Sequence, residues 1–185
     1  MFTFKVSRVH LIPVILALLC SVMLQQPAAA SPFGQGVFGA DVPFGSATSL
    51  SIALGGNVSL NLAPSGPNFT GTGAHTLTVT STDVVGYKLY AQSPSGTTMT
   101  NGTDTIPASG NSTPGSLALN TWGYNTDASS NYVGMLTTPS LIKSGTGPFK
   151  TGDNTTVTYG VFTDITKGAG SYTVGVVYTA VAMNN

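Results

Sequence analysis

Charged side chains are scarce in this sequence. Its 185 residues contain six Lys and Arg in total and six Asp and Glu, and all six acids are aspartates. After residue 30 the basic residues are four scattered lysines, Lys88, Lys143, Lys150 and Lys167. Binding to nucleic acid requires several basic groups that neutralise phosphates, and binding to anionic lipid depends on clustered basic residues. We therefore expect no nucleic-acid partner and no electrostatic attachment to a membrane.

Cysteine and histidine are also nearly absent. The single cysteine, Cys20, lies in the first 30 residues, and His75 is the one histidine that follows them. Zinc sites need several cysteine or histidine ligands, and disulfides need paired cysteines. His75 is in phase with the apolar Leu77 and Val79, which indicates a structural side chain at the end of a strand rather than a catalytic base.

The aspartates stand mostly beside Gly, Asn, Ser or Thr, where Asp side chains cap turns. There is no Gly-x-Ser-x-Gly motif, and the aspartates do not suggest the carboxylate pair of a glycoside hydrolase. Asn125, Asp127 and Asn131 in one loop, or Asp153 and Asn154 in another, offer oxygen ligands to calcium, but neither loop matches the twelve-residue calcium motif. The sequence therefore predicts a protein that is not an enzyme, with no catalytic residue, no metal and no cofactor.

The first 30 residues differ in kind from the rest. A basic start is followed by the apolar run Leu11–Leu24 and then by three small residues ending at Ala30, which is the pattern of a helical secretory signal peptide. We assign residues 1–30 to it, with cleavage after Ala30. A retained anchor is the less favoured alternative, because the apolar run is shorter than the roughly 20 residues of a spanning helix. A lipoprotein is disfavoured because Leu19, not a small residue, precedes Cys20. We expect a secreted, extracellular or surface-associated protein with no integral membrane span after cleavage.

Residues 31–47 form a Gly-, Pro- and Phe-rich N-terminal arm, either flexible or an early edge strand. Residues 48–185 show the period-2 alternation of strands and no helical period. The alternating or strand-like runs are Leu50–Leu54, Val58–Leu62, Leu77–Val79, Val85–Ala91, Leu117–Asn125, Val157–Val161 and Tyr172–Ala180. Their number and spacing predict an all-β domain, an immunoglobulin-like or Greek-key β-sandwich of about 7–9 antiparallel strands.

Several finer expectations follow from these runs. Gly55-Gly56 between the first two runs predicts a β-hairpin. Ser81-Thr82-Asp83 predicts a turn, and Met99 and Ile106 are expected to point inward. The run Tyr172–Ala180 has apolar residues on both faces, which predicts a central strand.

Aromatic residues provide the candidate binding site. Trp122 and Tyr124, with Tyr132 nearby, predict a surface that stacks against a sugar or a peptide. The alternative is core packing, which we favour for Trp122, whereas Tyr124 and Tyr132 stay open.

Short segments also resemble a family of small secreted β-sandwich proteins from the cell surfaces of candidate-phylum and Gram-positive bacteria, and more distantly the WxL cell-wall-binding domain. The segments are Thr121–Asn125, Val157–Val161, Ala169–Thr173 and Val177–Ala180. The chain departs from WxL at Tyr124, where that motif has leucine, and it has no second Trp motif. Exported pilins that assemble by strand donation are a further comparison, although their usual disulfide is absent here.

These observations predict an exported cell-surface structural or adhesive protein. It is expected to self-assemble by strand addition, with a homo-oligomer or filament as its partner state. The alternative is a non-catalytic module that binds a glycan or a cell-wall polymer through Trp122, Tyr124 and Tyr132.

Overall fold

A computed structural model describes residues 49–183, and these form an all-β domain with no helix among them. The strands are β1 Ser49–Leu54, β2 Ala63–Ser65, β3 Asn68–Thr82, β4 Gly86–Gln92, β5 Met99–Thr100, β6 Thr105–Ile106, β7 Thr121–Asn125, β8 Ser140–Thr146, β9 Asp153–Asp164 and β10 Val177–Met183. The predicted fold class is confirmed for these residues. The predicted signal peptide and the arm at 31–47 lie outside them.

The strands form two main antiparallel sheets. The larger has the order β1-β3-β9-β7, with β2 also paired to β3, and the smaller has the order β10-β4-β8. Strands β5 and β6 form a separate two-stranded pair. The core between the main sheets takes Leu77 and Val79 from β3, Tyr87 and Leu89 from β4, and Val157 from β9, all fully buried at 0% exposure. The molecule is therefore a β-sandwich.

Strand β3 shows why the alternating sequence folds in this way. Its odd-numbered residues Leu77, Val79 and Ser81 are fully buried, whereas the threonines between them lie on the other face. Each fully buried aliphatic side chain contributes roughly 1.5–3 kcal/mol relative to exposure, which favours this register over a one-residue slip. The predicted turn at Ser81-Thr82-Asp83 is displaced along the chain, because Ser81 and Thr82 belong to β3. The turn occupies residues 83–85, and Asp83 adopts a φ of 56° there. It carries the chain from the large sheet into β4 of the small one.

The predicted hairpin at Gly55-Gly56 is wrong. Strand β1 pairs with β3, with Leu54 opposite Leu77, and residues 57–62 form no strand. These residues cross the inner side of β3, where a Cβ added at Gly71 or Gly73 would lie 2.8 Å from a backbone oxygen of the crossing segment. The two glycines thus leave room for the crossing segment against the sheet. The apolar residues Val58 and Leu60 of this segment pack against the core.

The prediction of a central terminal strand is also wrong. Within residues 49–183, β10 begins only at Val177 and pairs with β4 alone, so it is an edge strand. Val177 and Val181 on its outer face are 44% and 48% exposed. Apolar residues on both faces here belong to an uncovered edge, not to a strand enclosed between neighbours.

Candidate functional site

The first two predicted site residues lie in the core. Trp122 is 0% exposed and its Nε1 donates a hydrogen bond to the carbonyl oxygen of Thr97 at 2.9 Å. Tyr124 is 4% exposed and lies opposite Tyr159 in the β7–β9 register. The interpretation of Trp122 as a core side chain is confirmed, and neither ring presents an open face.

The third predicted residue, Tyr132, packs on the outer face of the large sheet. Gly123 and Gly160 are paired there, and a Cβ added at Gly160 would lie 2.5 Å from the Tyr132 ring. The ring is 8% exposed, and burial raises the pKa of its hydroxyl. The structure therefore divides the three aromatic residues between two faces of one sheet. The three residues therefore share no surface, and ligand binding by them stays a prediction.

The edge of the large sheet at β7 is closed by loops. Trp122 exchanges backbone hydrogen bonds with residues 107–109, donating to Pro107 at 3.2 Å and accepting from Ser109 at 2.7 Å. Tyr124 and Val133 exchange two more, at 3.0 and 2.9 Å. We call this the closed edge. Its strand has partners on both sides, although only one of them is a strand.

On the opposite side of the sandwich, two strand edges have no partner strand among residues 49–183. We call the edges of β1 and β10, which lie close to each other, the open seam. The side chains of Ile52 and Leu54 face inward, because they lie opposite the buried Val79 and Leu77. They are nevertheless 38% and 54% exposed, so the small sheet covers them incompletely. Within residues 49–183 no strand pairs with the outer side of either β1 or β10.

A cavity of about 360 Å³ opens at one end of this seam, and we call it the His75 cavity. Leu54 of β1 and Tyr178 of β10 both line it, together with residues of the crossing segment and of the stretch before β10. Its remaining walls include Trp122, Tyr159 and Tyr172. The cavity is therefore continuous with the open seam, and its lining combines aromatic and aliphatic side chains with polar groups such as His75 and Asn57.

A chain of hydrogen bonds crosses the wall of the His75 cavity. His75 Nδ1 lies 2.9 Å from the carbonyl oxygen of Gly56, which accepts, so in a neutral ring Nε2 accepts from the Tyr178 hydroxyl at 2.9 Å. The hydroxyls of Tyr178 and Tyr159 are hydrogen-bonded to each other. Burial raises the pKa of both tyrosines, so they stay neutral donors. This network fixes the ring positions, which fits the structural role predicted for His75. The predicted position is wrong, however, because His75 lies within β3 and not at the end of a strand.

Two of the aspartates cap turns, as predicted. Asp127 and Asp164 accept backbone hydrogen bonds from Ser129 and Thr166 at 3.1 and 2.9 Å. Hydrogen bonds from these two turn residues hold the pKa of both carboxyls below the ordinary value. Across residues 49–183 no three His, Cys, Asp or Glu side chains come together as a metal site, and no helix could cross a membrane.

Asp153 has a different role. It accepts hydrogen bonds from Lys143 Nζ and the Tyr87 hydroxyl, both at 2.7 Å, which connects β9 with β8 and β4 of the other sheet. Burial opposes ionisation of Asp153, but the bonds from Lys143 and Tyr87 outweigh it and lower its pKa. This ion pair lies on the side of β8, opposite in its sheet to β10.

Comparison with known proteins gives little. No family model matches the chain, and no curated protein matches it. One solved chain with a similar backbone comes from work described as "Chaperone-tip adhesin complex is vital for synergistic activation of CFA/I fimbriae biogenesis". It has 12% sequence identity and a TM-score of 0.47, with 73% of this chain and 42% of that chain covered. This chain thus spans less than half of the other, and the likeness is too low to bear on function.

Proposed function

We propose that the protein is an exported structural or adhesive component of a cell surface that self-assembles by strand addition. The observation that supports this proposal is the open seam. An uncovered strand edge offers unpaired backbone N–H and C=O groups to another chain, and soluble proteins usually protect such edges. A strand edge that pairs with another copy of the protein has to stay unprotected.

The other two sheet edges, at β7 and β8, are protected against pairing with another chain. The closed edge at β7 is covered by loops. At β8 the register is interrupted between Leu89 and Tyr90, and Lys143 points inward, opposite the buried Leu89. Bulges and inward-pointing charges are recognised ways of blocking edge-to-edge pairing. Strands β1 and β10 contain no charged residue and no proline, and each pairs with its neighbour in a continuous register without a bulge.

The scarcity of charge agrees with assembly. With four lysines and six aspartates in residues 31–185, copies of the chain repel one another weakly. Hydroxyl and amide side chains keep such a surface hydrated without opposing close contact. The absence of cysteine after residue 30 excludes disulfide links between residues 31–185 of neighbouring copies.

The test is the state of association of the purified chain comprising residues 31–185. Sedimentation velocity and negative-stain electron microscopy should show oligomers or filaments that grow with concentration, and deletion of residues 31–47 should abolish them. A chain that stays monomeric up to high micromolar concentration, with or without residues 31–47, would contradict the proposal.

A second candidate function is binding of a glycan or wall polymer, which is favoured by the aromatic lining of the His75 cavity. Tyr172 lines this cavity and its hydroxyl donates to the Gly168 carbonyl at 2.9 Å. Cell-wall pull-down should then weaken on Tyr172→Ala, whereas Tyr90→Ala on the outer face of the small sheet should have no effect. Equal binding by both variants would reject the cavity as the binding site.

A further inference from the structure

We infer that the open seam receives residues 38–44 of a second copy of the chain, which add to β10 as a further strand. This inference rests on the proposed function, and it names the acceptor edge, the inserted segment and the face that the segment presents.

We assign β10 as the acceptor edge because its inward-facing side chains are only partly covered. The inward residues of this strand are Tyr178, Ala180 and Ala182, and all three are partly exposed. The two alanines have short side chains, and Ile52 and Leu54 of the nearby β1 are 38% and 54% exposed. A strand added to the outer side of β10 would extend the small sheet over these side chains and bury them.

The His75 cavity supplies a place for a large side chain. Because Leu54 and Tyr178 line both the seam and the cavity, a strand along β10 passes the mouth of the cavity. Its volume of about 360 Å³ accommodates an aromatic ring. An inserted strand with a phenylalanine near one end therefore fits the shape of the site.

Residues 38–44 have the required pattern. In the sequence Phe-Gly-Ala-Asp-Val-Pro-Phe, the even-numbered positions Phe38, Ala40, Val42 and Phe44 are apolar, and Gly39, Asp41 and Pro43 lie between them. Period-2 alternation places all four apolar side chains on one face. Seven residues also match the length of β10. No other part of residues 31–47 combines this alternation with this length.

Pro43 is compatible with the same arrangement. Backbone N–H groups of successive strand residues point to opposite sides, so a strand whose even-numbered residues bond β10 leaves the Pro43 nitrogen on the outer side. Proline is tolerated on edge strands when its nitrogen faces away from the ladder. The added strand would itself be the new edge, and its proline would stop further pairing there.

The path of the chain favours a second copy as the donor. Ser49 pairs with Thr82 and Met183 pairs with Gly86, so β1 starts at the end of the sandwich where β10 finishes. To reach β10 of its own molecule, the segment would have to reverse within residues 45–48 while crossing about 10 Å between sheets. It would then run parallel to β10. A segment from another molecule has neither constraint and can pair antiparallel, which is slightly more stable.

The test uses two complementary variants of the chain comprising residues 31–185. Phe38→Asp/Val42→Asp disables the inserted segment and leaves the seam intact, whereas Ala180→Lys blocks the seam and leaves the segment intact. Each alone should be monomeric, and a mixture should give a 1:1 complex and nothing larger by sedimentation equilibrium. The matched control Asp41→Ser, on the opposite face of the segment, should assemble within twofold of the unmodified chain.

Cysteine cross-linking provides a second measurement that does not depend on disruptive substitutions. The chain after residue 30 has no cysteine, so introduced pairs report cleanly. Ala180→Cys combined with Ala40→Cys or Val42→Cys should form intermolecular disulfides at least tenfold faster than Ala180→Cys combined with Asp41→Cys. Circular dichroism and thermal melting confirm that each variant is folded.

The outcomes separate the inference from the proposed function. If the unmodified chain assembles but the mixed variants form no complex and position 41 cross-links as fast as 40 and 42, this inference is wrong and assembly uses another surface. Cross-links confined within single molecules would overturn the assignment to a second copy. A monomeric unmodified chain would overturn the proposed function and this inference together.

Discussion

The closed edge at β7 and the open seam of β1 and β10 are two solutions to the same physical problem. Both are places where a sheet ends and backbone hydrogen-bonding groups lack a neighbouring strand. At β7 the chain uses residues 107–109 and 132–134 to satisfy the edge and to cover the outer glycine pair. At the seam nothing within residues 49–183 does so. The contrast separates an edge that loops cover from an edge that no strand within residues 49–183 covers.

The largest expected difference lies between two leucines that face each other across β1 and β3. Leu77 is fully buried and its partner Leu54 is 54% exposed. Leu77→Ala should lower the free energy of unfolding by about 3 kcal/mol, as expected for a cavity in a packed core. Leu54→Ala should cost less than about 1 kcal/mol, because most of its side chain is already in water. Urea unfolding of the monomer measures both, and equal losses would mean that the seam is as well packed as the core.

Breaking the closed edge should have the next largest effect. A Cβ added at Gly134 would lie 1.7 Å from the carbonyl oxygen of Ser109, a backbone atom that cannot rotate away. We expect Gly134→Ala to destabilise the fold by about 2–3 kcal/mol through forced displacement of the covering loops. The uncovered β7 edge should then promote association through a second surface, visible as faster aggregation on mild heating.

Gly110 supplies the matched control for that experiment. It directly follows residues 107–109, and a Cβ added to it has nothing within 4 Å. Gly110→Ala should leave the unfolding free energy within about 0.5 kcal/mol of the original. If both substitutions behave alike, the loops are not tightly packed against β7.

Sequence patterns predicted the parts of the fold that depend on one strand at a time. The alternation through Leu77 and Val79 identified β3, and the inward positions of Met99 and Ile106 are confirmed by their exposures of 8% and 2%. Which strands pair with each other was harder to predict from the sequence. The second run of the expected hairpin, Val58–Leu62, is excluded from the sheet because Gly71 and Gly73 let it cross the inner face. A local pattern cannot reveal that glycines nine or more residues away provide the space.

The same limit applies to the site. The His75 cavity joins residues from β1, β3, β9 and β10, and His75 is separated from its partner Tyr178 by 103 positions. The exposed edge of β10 could have been suspected, since its two-sided apolar pattern fits either a central or an uncovered strand. The separation of Trp122 from Tyr132 onto opposite faces depends on the Gly123–Gly160 pair, which only the register reveals.

A smaller effect is expected at the boundary between the seam and the core. Tyr178→Phe removes the hydroxyl that bonds both His75 Nε2 and the Tyr159 hydroxyl. Loss of these bonds should lower the unfolding free energy by about 1–2 kcal/mol, because a partly buried acceptor is left without a donor. Tyr90→Phe, outside the cavity, is the control and should be neutral. A neutral Tyr178→Phe would show that water replaces the hydroxyl and that the seam is wetter than the core.

The smallest effect should be the pH-dependent one on the opposite side of the small sheet, where Lys143 and Asp153 are 28% and 20% exposed. The pKa of Asp153 is lowered in the folded state, so its contribution is present above the unfolded pKa near 3.9 and is lost as the pH falls through the folded value. Asp153→Asn should therefore cost about 0.5–1 kcal/mol at pH 7 and nearly nothing at pH 2. Urea unfolding at both pH values, in a double-mutant cycle with Lys143→Met, measures the coupling. If the loss persists unchanged at pH 2, the effect belongs to the hydrogen bond from Tyr87. The Lys143–Asp153 ion pair would then not stabilise the contact between the two sheets.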